Sequence, residues 1–251
     1  MQRHVIVRSI AISLAVAGFS TVLAKPSIAQ EWEFDAALYA WLSGVDGTIG
    51  VGRAGDQPVE ASFSDLAGFL DFAAAGHVEA HNGRFSIITD VNYVGLGSDR
   101  DAEIGGQPVS VAMDFDQWIV ELSGGYGITP EFDVILAGRY YFQDLGDTAY
   151  LINDDTRRED SESWGDVFVG GRYKTLLGNR WVVSVRADVG IGGSDFAWFG
   201  NAFVGYRLSD LMTLGLAYRV LSLDYETGSG ADYYKYDTIT SGLGLGLAFT
   251  F

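Results

Sequence analysis

The segment His77-Val78-Glu79-Ala80-His81 puts two imidazoles and a carboxylate at alternate positions, and on an extended chain alternate side chains share one face. All three are metal ligands by type. Same-face neighbours on a strand lie about 6–7 Å apart, whereas donors to one zinc converge to about 2 Å from a common centre. One or two of these groups could share an ion, but not comfortably all three. The geometry favours an electrostatic reading, in which Glu79 pairs with an arginine inside the fold and the histidines lie toward a turn. Hydrolysis would need a positioned His beside a Ser or Asp. His77 and His81 are the only histidines after His4, both toward one strand end, so no catalytic residue is assigned. The carboxylates Asp144, Asp147, Asp154, Asp155, Glu159, Asp160 and Glu162 read as a solvated acidic loop. Asn153-Asp154-Asp155-Thr156 and Asp99-Arg100-Asp101-Ala102-Glu103 offer hard oxygen ligands without the EF-hand's Gly at position six and Glu at position twelve. They imply diffuse association with divalent cations. No metal site or cofactor is expected.

The elements that must hold these residues announce themselves at the carboxyl end. Gly242-Leu243-Gly244-Leu245-Gly246-Leu247-Ala248-Phe249-Thr250-Phe251 alternates large apolar with small residues. Leu243, Leu245, Leu247, Phe249 and Phe251 therefore share a face suited to lipid, opposite a face of small residues. A strand in hydrocarbon cannot leave backbone groups unpaired, which requires a closed barrel of similar strands. The pattern recurs near 31–43, 72–81, 84–96, 109–126, 132–144, 164–175, 181–192, 197–207, 211–224 and 236–251. This predicts an all-β, antiparallel up-and-down barrel of about ten strands, with eight or twelve as alternatives. Short turns at 81–84, 129–131, 177–180 and 208–210 carry Gly, Asn, Asp or Pro and are assigned to the periplasmic side. Longer connections at 44–71, 97–108, 145–163, 193–196 and 225–235 then face outward. In the first of these, 48–51 and 59–63 form a hairpin too short to span, and 64–70 reads as a short capped helical turn.

The same alternation sorts side chains by face. Trp118, Val120, Leu122, Tyr126, Trp181, Val183, Val185, Val189, Met212, Leu214, Leu216 and Tyr218 point to lipid, with aromatics near strand ends as an interfacial girdle. Charged residues of both signs point inward. Unpaired charge in a narrow lumen is costly, so Glu79, Glu121, Arg139, Arg172, Arg186, Asp188 and Arg219 are expected to form a lumen charge network. Eight strands are just filled by their side chains and ten leave slightly more room. The network is expected to plug the barrel, with a narrow, cation-preferring pore as the alternative.

Arg3 and Arg8 precede an apolar run from Ile10 to Ala24, and Ser27-Ile28-Ala29 offers a small-x-small cleavage site, with Val22-Leu23-Ala24 as a second candidate. Residues 1–29 read as a cleaved signal peptide and 30–251 as one barrel domain. The chain contains no Cys, which removes disulfide and thiolate chemistry. Its net charge is −17, and losing Arg3, Arg8 and Lys25 takes the mature chain from −17 to about −20. Nucleic acid is thereby excluded as a partner. An acidic exported surface favours cations, or divalent-bridged contact with anionic lipid headgroups such as lipopolysaccharide.

Together, the leader, the alternating strands, the acidic loops and terminal Phe251 resemble the small outer-membrane β-barrel proteins of Gram-negative bacteria, over the whole mature chain. Asp116-Gln117-Trp118-Ile119-Val120-Glu121-Leu122 and Gly170-Gly171-Arg172-Tyr173 are similar to stretches of an uncharacterised proteobacterial group of such barrels. The resemblance implies a cell outer-membrane location, and it implies that Leu243, Leu245, Leu247, Phe249 and Phe251 form the signal read by the barrel-assembly machinery. Fold class does not supply a function. The expectation is a non-catalytic barrel with a structural or surface-interaction role. A narrow cation-preferring porin is the alternative, and an outer-membrane protease or lipid-modifying enzyme ranks below both.

Overall fold

The computed structural model describes residues 31–104, 107–145 and 160–251, with backbone alone at 54, 98–104, 107–114, 145 and 160. The leader and the 153–156 stretch lie outside the described residues, as do the side chains of 99–103.

Eleven strands follow the alternating segments: β1 Glu33–Val51, β2 Asp56–Ala61, β3 Leu70–His81, β4 Phe85–Ile104, β5 Gln107–Gly127, β6 Phe132–Leu145, β7 Asp160–Leu177, β8 Trp181–Gly192, β9 Phe196–Arg207, β10 Met212–Thr227 and β11 Tyr234–Thr250. Each long strand pairs antiparallel with its neighbours, and β11 closes on β1 from Asp35↔Thr250 to Val51↔Tyr234. Ten strands therefore form the ring. The short β2 pairs only with the outer part of β1, from Val45↔Ala61 to Gly50↔Asp56. It makes the hairpin expected on the first long connection, but between 45–50 and 56–61 rather than 48–51 and 59–63, since residues 62 and 63 cap and open the short helix that follows. No helix among the described residues is long and apolar enough to cross a membrane; the strands do the crossing.

Two local expectations shift. Residues expected as loop at 44–51, 97–104, 160–163 and 225–227 continue their strands, which takes Asp160 and Glu162 out of the expected acidic loop, because once a hairpin has begun, each added pair satisfies two more backbone groups. The helical turn expected over 64–70 is the one-turn helix α1, which spans Phe63–Leu66 and is capped by Ser62. Asp65 completes a capping box, its carboxylate accepting from Ser62 N at 2.9 Å and Ser62 Oγ at 2.6 Å.

One end of the barrel carries only tight turns, at 82–84, 128–131, 178–180 and 208–211, together with the carboxyl terminus. The other end carries the hairpin, α1 and the remaining connections. Along the strands, apolar side chains such as Leu38, Leu122, Leu136, Val167, Ile191 and Leu245 lie exposed on the outside, while their sequence neighbours face in. A continuous apolar exterior on a closed ring of ten strands without free edges fits hydrocarbon and not water. The chain is an outer-membrane β-barrel.

Candidate functional site

The lumen is where the sequence spends its buried charge. One cross-strand row runs His77↔Asp90↔Glu121↔Arg139↔Asp166 through β3, β4, β5, β6 and β7. Alternation sends all five side chains to the same side of the sheet, so charges of both signs meet at one level of the lumen.

Four of the expected residues close into a neutral quartet. Arg139 Nε donates to Glu121 Oε2 at 2.6 Å and its Nη2 to Asp188 Oδ2 at 2.6 Å. Arg186 Nη1 donates to Glu121 Oε1 at 2.7 Å, and its Nε to Asp188 Oδ1 at 2.9 Å. Ser123 Oγ adds a bond to Glu121 Oε1 at 2.8 Å. All four charged groups are buried, Asp188 at 3% exposure and Arg139 at 4%. The Arg139 guanidinium lies between the rings of Phe168 and Phe199, 4.1 and 4.2 Å from their centroids. Desolvating four charges costs several kcal/mol each; mutual pairing and cation–π contact offset that cost.

The other expected residues join two further groups. Arg172 forks onto Glu79 at 2.7 and 2.8 Å and also holds Asp133 at 2.7 Å. Arg172 lies directly across the sheet from Arg186. Like charges so placed repel, and each is turned to its own acids. Arg219 Nη2 reaches Asp90 Oδ1 at 3.4 Å, and its Nη1 donates to the hydroxyl of Tyr39. Tyr39 in turn donates to Asp90 at 2.8 Å. His77 sits between the groups, with Nδ1 3.2 Å from Asp90 and Nε2 3.9 Å from Glu79. His81, at the short-turn end, lies 3.4 Å from Asp35. The structure thus gives Glu79 its arginine and places the histidines apart, each on a different carboxylate. Among the described residues, no group of three His, Cys, Asp or Glu is arranged to hold a metal.

Sequence reasoning missed a second layer. Aromatic residues expected only as an outer girdle also fill the lumen: Tyr141, Trp164, Phe168, Phe199, Tyr225, Tyr234 and Tyr236 are all buried in one cluster. Trp164 stacks on Tyr225 with centroids 4.1 Å apart and planes 5° apart, and it also meets Tyr141 at 5.1 Å and Tyr236 at 6.2 Å. Its indole N–H donates to Ser194 Oγ at 3.0 Å, and that hydroxyl donates to Asp166 at 2.7 Å. The signal was available in parity, since Tyr141 shares a face with Arg139, Phe168 with Arg172, and Tyr225 with Arg219.

Several of these contacts cross the barrel. In the ring order, β6 and β11 stand opposite, five strands apart, and Tyr234 reaches Gln143 between them. The strands β3 and β7 stand four apart, as do β4 and β10, and they are bridged by Glu79–Arg172 and Asp90–Arg219. Between the quartet and Arg219 lies a cavity of about 10 Å³, lined by Trp41, Asp90, Asn92, Glu121, Arg139 and Phe199 among others. That volume admits about one water molecule.

No family model matches the chain, and no curated protein matches it in sequence. Among solved structures, the chain is similar to the attachment invasion locus protein Ail of Yersinia pestis, with 10% identity, a TM-score of 0.40 and coverage of 88% of this chain and 99% of that one. It is also similar to the outer-membrane protease OmpT of Escherichia coli, with 9% identity, a TM-score of 0.46 and coverage of 90% and 99%. A FadL homologue of Pseudomonas aeruginosa follows at 10% identity, a TM-score of 0.30 and coverage of 88% and 90%. These likenesses concern the barrel fold alone.

Proposed function

We propose that this outer-membrane barrel is non-catalytic and closed to solutes, with a structural or surface-interaction role carried by its outer loops. The observation that supports this reading is the set of lumen contacts between strands on opposite sides of the ring, ionic at two levels and aromatic above them. His77 bonds an aspartate that Arg219 already holds, and it faces a glutamate held by Arg172. Groups committed in this way support a structural part for the histidine rather than hydrolysis. The reading also assigns Leu243, Leu245, Leu247, Phe249 and Phe251 to recognition by the barrel-assembly machinery, and it assigns divalent cations and lipopolysaccharide to the acidic outer loops.

The test is single-channel recording from the refolded mature chain in a planar bilayer, with heat-modifiable gel migration to verify folding. We expect no stepwise conductance at any salt concentration. Salt-dependent, cation-selective steps from folded protein would refute closure. They would favour the narrow pore instead, with Lys174, His77 and Asp133 as its water-reached entrance, since these keep 38%, 30% and 21% side-chain exposure at the short-turn half.

A further inference from the structure

The short-turn rim carries one arrangement twice. In Asn82-Gly83-Arg84-Phe85 and Gly178-Asn179-Arg180-Trp181, a glycine with φ of 79° or 63° tightens the turn, and an arginine stands immediately before an aromatic that opens the next strand. The aromatic faces lipid, with Phe85 53% and Trp181 49% exposed. Its direct cross-strand partner is a tyrosine, Phe85↔Tyr126 in one case and Trp181↔Tyr206 in the other. The two ring pairs meet edge-on at 5.4 Å and 4.9 Å.

Each tyrosine holds its arginine. Arg84 Nε donates to the Tyr126 hydroxyl at 3.1 Å, and Arg180 Nη1 donates to the Tyr206 hydroxyl at 3.0 Å. The guanidinium carbons lie 5.1 Å and 5.9 Å from those ring centroids. A guanidinium carries five N–H donors, and in each case several remain beyond those given to tyrosine. The chain has 33 acidic against 16 basic residues, yet among the described residues neither arginine makes an ion pair with a carboxylate, whereas the lumen arginines all do. A preorganised cation beside interfacial rings, left without an acid in so acidic a chain, fits an anion supplied by the membrane.

We propose that Arg84 with Phe85 and Tyr126, and Arg180 with Trp181 and Tyr206, form two sites for the headgroup phosphate of phospholipid, with preference for net-anionic lipid. The strands β4 and β8 stand four apart in the ring of ten, so the pair anchors opposite sides of the rim in the same leaflet. Tyrosine fixes the guanidinium, the fork takes the phosphate oxygens, and the second ring lies along the upper acyl chain.

Native mass spectrometry of the folded barrel with added phosphatidylglycerol tests the assignment. Wild-type protein should retain two lipids, R84Q and R180Q one each, and the double variant should bind about tenfold more weakly, as loss of a charged hydrogen bond implies. The R84K/R180K double variant should fall between wild type and the glutamine variant, and heat-modifiable migration checks that every variant is folded. Equal retention by the folded R84Q/R180Q variant would overturn the proposal. So would binding of inorganic phosphate at these arginines as tight as that of the lipid, because the aromatic rings would then contribute nothing.

Discussion

Replacing Arg139 with Met keeps a long side chain between Phe168 and Phe199 and removes only the charge and its donors. Two contacts of 2.6 Å, to Glu121 and to Asp188, are lost. Breaking a buried ion pair from one side costs about 3–5 kcal/mol, most of it for stranding the remaining charge. Here the stranding is partial, since Arg186 still holds Glu121 at 2.7 Å and Asp188 at 2.9 Å, leaving the cluster one charge negative rather than two acids bare. The expected loss is therefore at the lower end, about 3 kcal/mol. Adding Glu121→Gln restores neutrality around Arg186 and Asp188. The double variant should then be more stable than the sum of the single losses by about 1–2 kcal/mol, a coupling in the range found for residues of one network. Equilibrium denaturant unfolding in lipid vesicles, followed by tryptophan emission, measures all three variants. A loss below about 1 kcal/mol for R139M, the level of a surface pair, would show that the quartet is solvated. Strict additivity would show that its members do not act together.

Two further perturbations address the seam and the outer hairpin. A Cβ on Gly242 would stand 2.0 Å from the Leu42 carbonyl oxygen and 2.6 Å from Ser43 Cα, whereas one on Gly244 meets nothing nearer than 3.4 Å. G242A should thus impair closure of β11 on β1 and reduce the heat-modifiable folded band, while G244A folds normally; equal behaviour of the two would contradict the seam geometry. At α1, the bonds from Ser62 hold the Asp65 carboxyl below its ordinary value. The capping box is then intact above the ordinary carboxylate range and is lost as pH falls through that lowered value. Amide-exchange protection at Ser62 should persist at pH 6, decline below about 4 and lose its pH dependence in D65N. Unchanged protection across that range would remove Asp65 from the cap.

Strand placement was legible because the alternation is physical, since lipid on one side and a crowded lumen on the other leave few residues indifferent to parity. All ten ring strands lie where the pattern puts them, and the non-spanning hairpin forms in the expected connection but pairs 45–50 with 56–61 rather than 48–51 with 59–63. The outer strand ends were less legible: beyond the hydrocarbon both faces meet water, so at 97–104 pairing continues without the pattern that marks it. Ion-pair partners were legible by sign and parity but not by distance. Which acid Arg172 takes depends on β3 and β7 standing across the ring, a relation fixed only by closure and register.

The glycines of the inner face make room for aromatic rings. A Cβ on Gly190 would lie 2.7 Å from the Phe168 ring, and Cβ atoms on Gly205 and Gly215 would lie 2.9 Å or less from the Phe203 ring. The missing side chain is thus the seat of a ring, from the adjacent strand at Gly190 and Gly215, as when an aromatic covers a glycine across a sheet, and from two residues earlier in the same strand at Gly205. Ten strands enclose more volume than eight, and this sequence fills the difference with glycine-seated rings and paired charges. Phe168 shows why the two devices belong together, because the ring seated on Gly190 is also the ring stacked against Arg139. A wider side chain at Gly190 would therefore disturb the ionic quartet through Phe168, without touching any charged group.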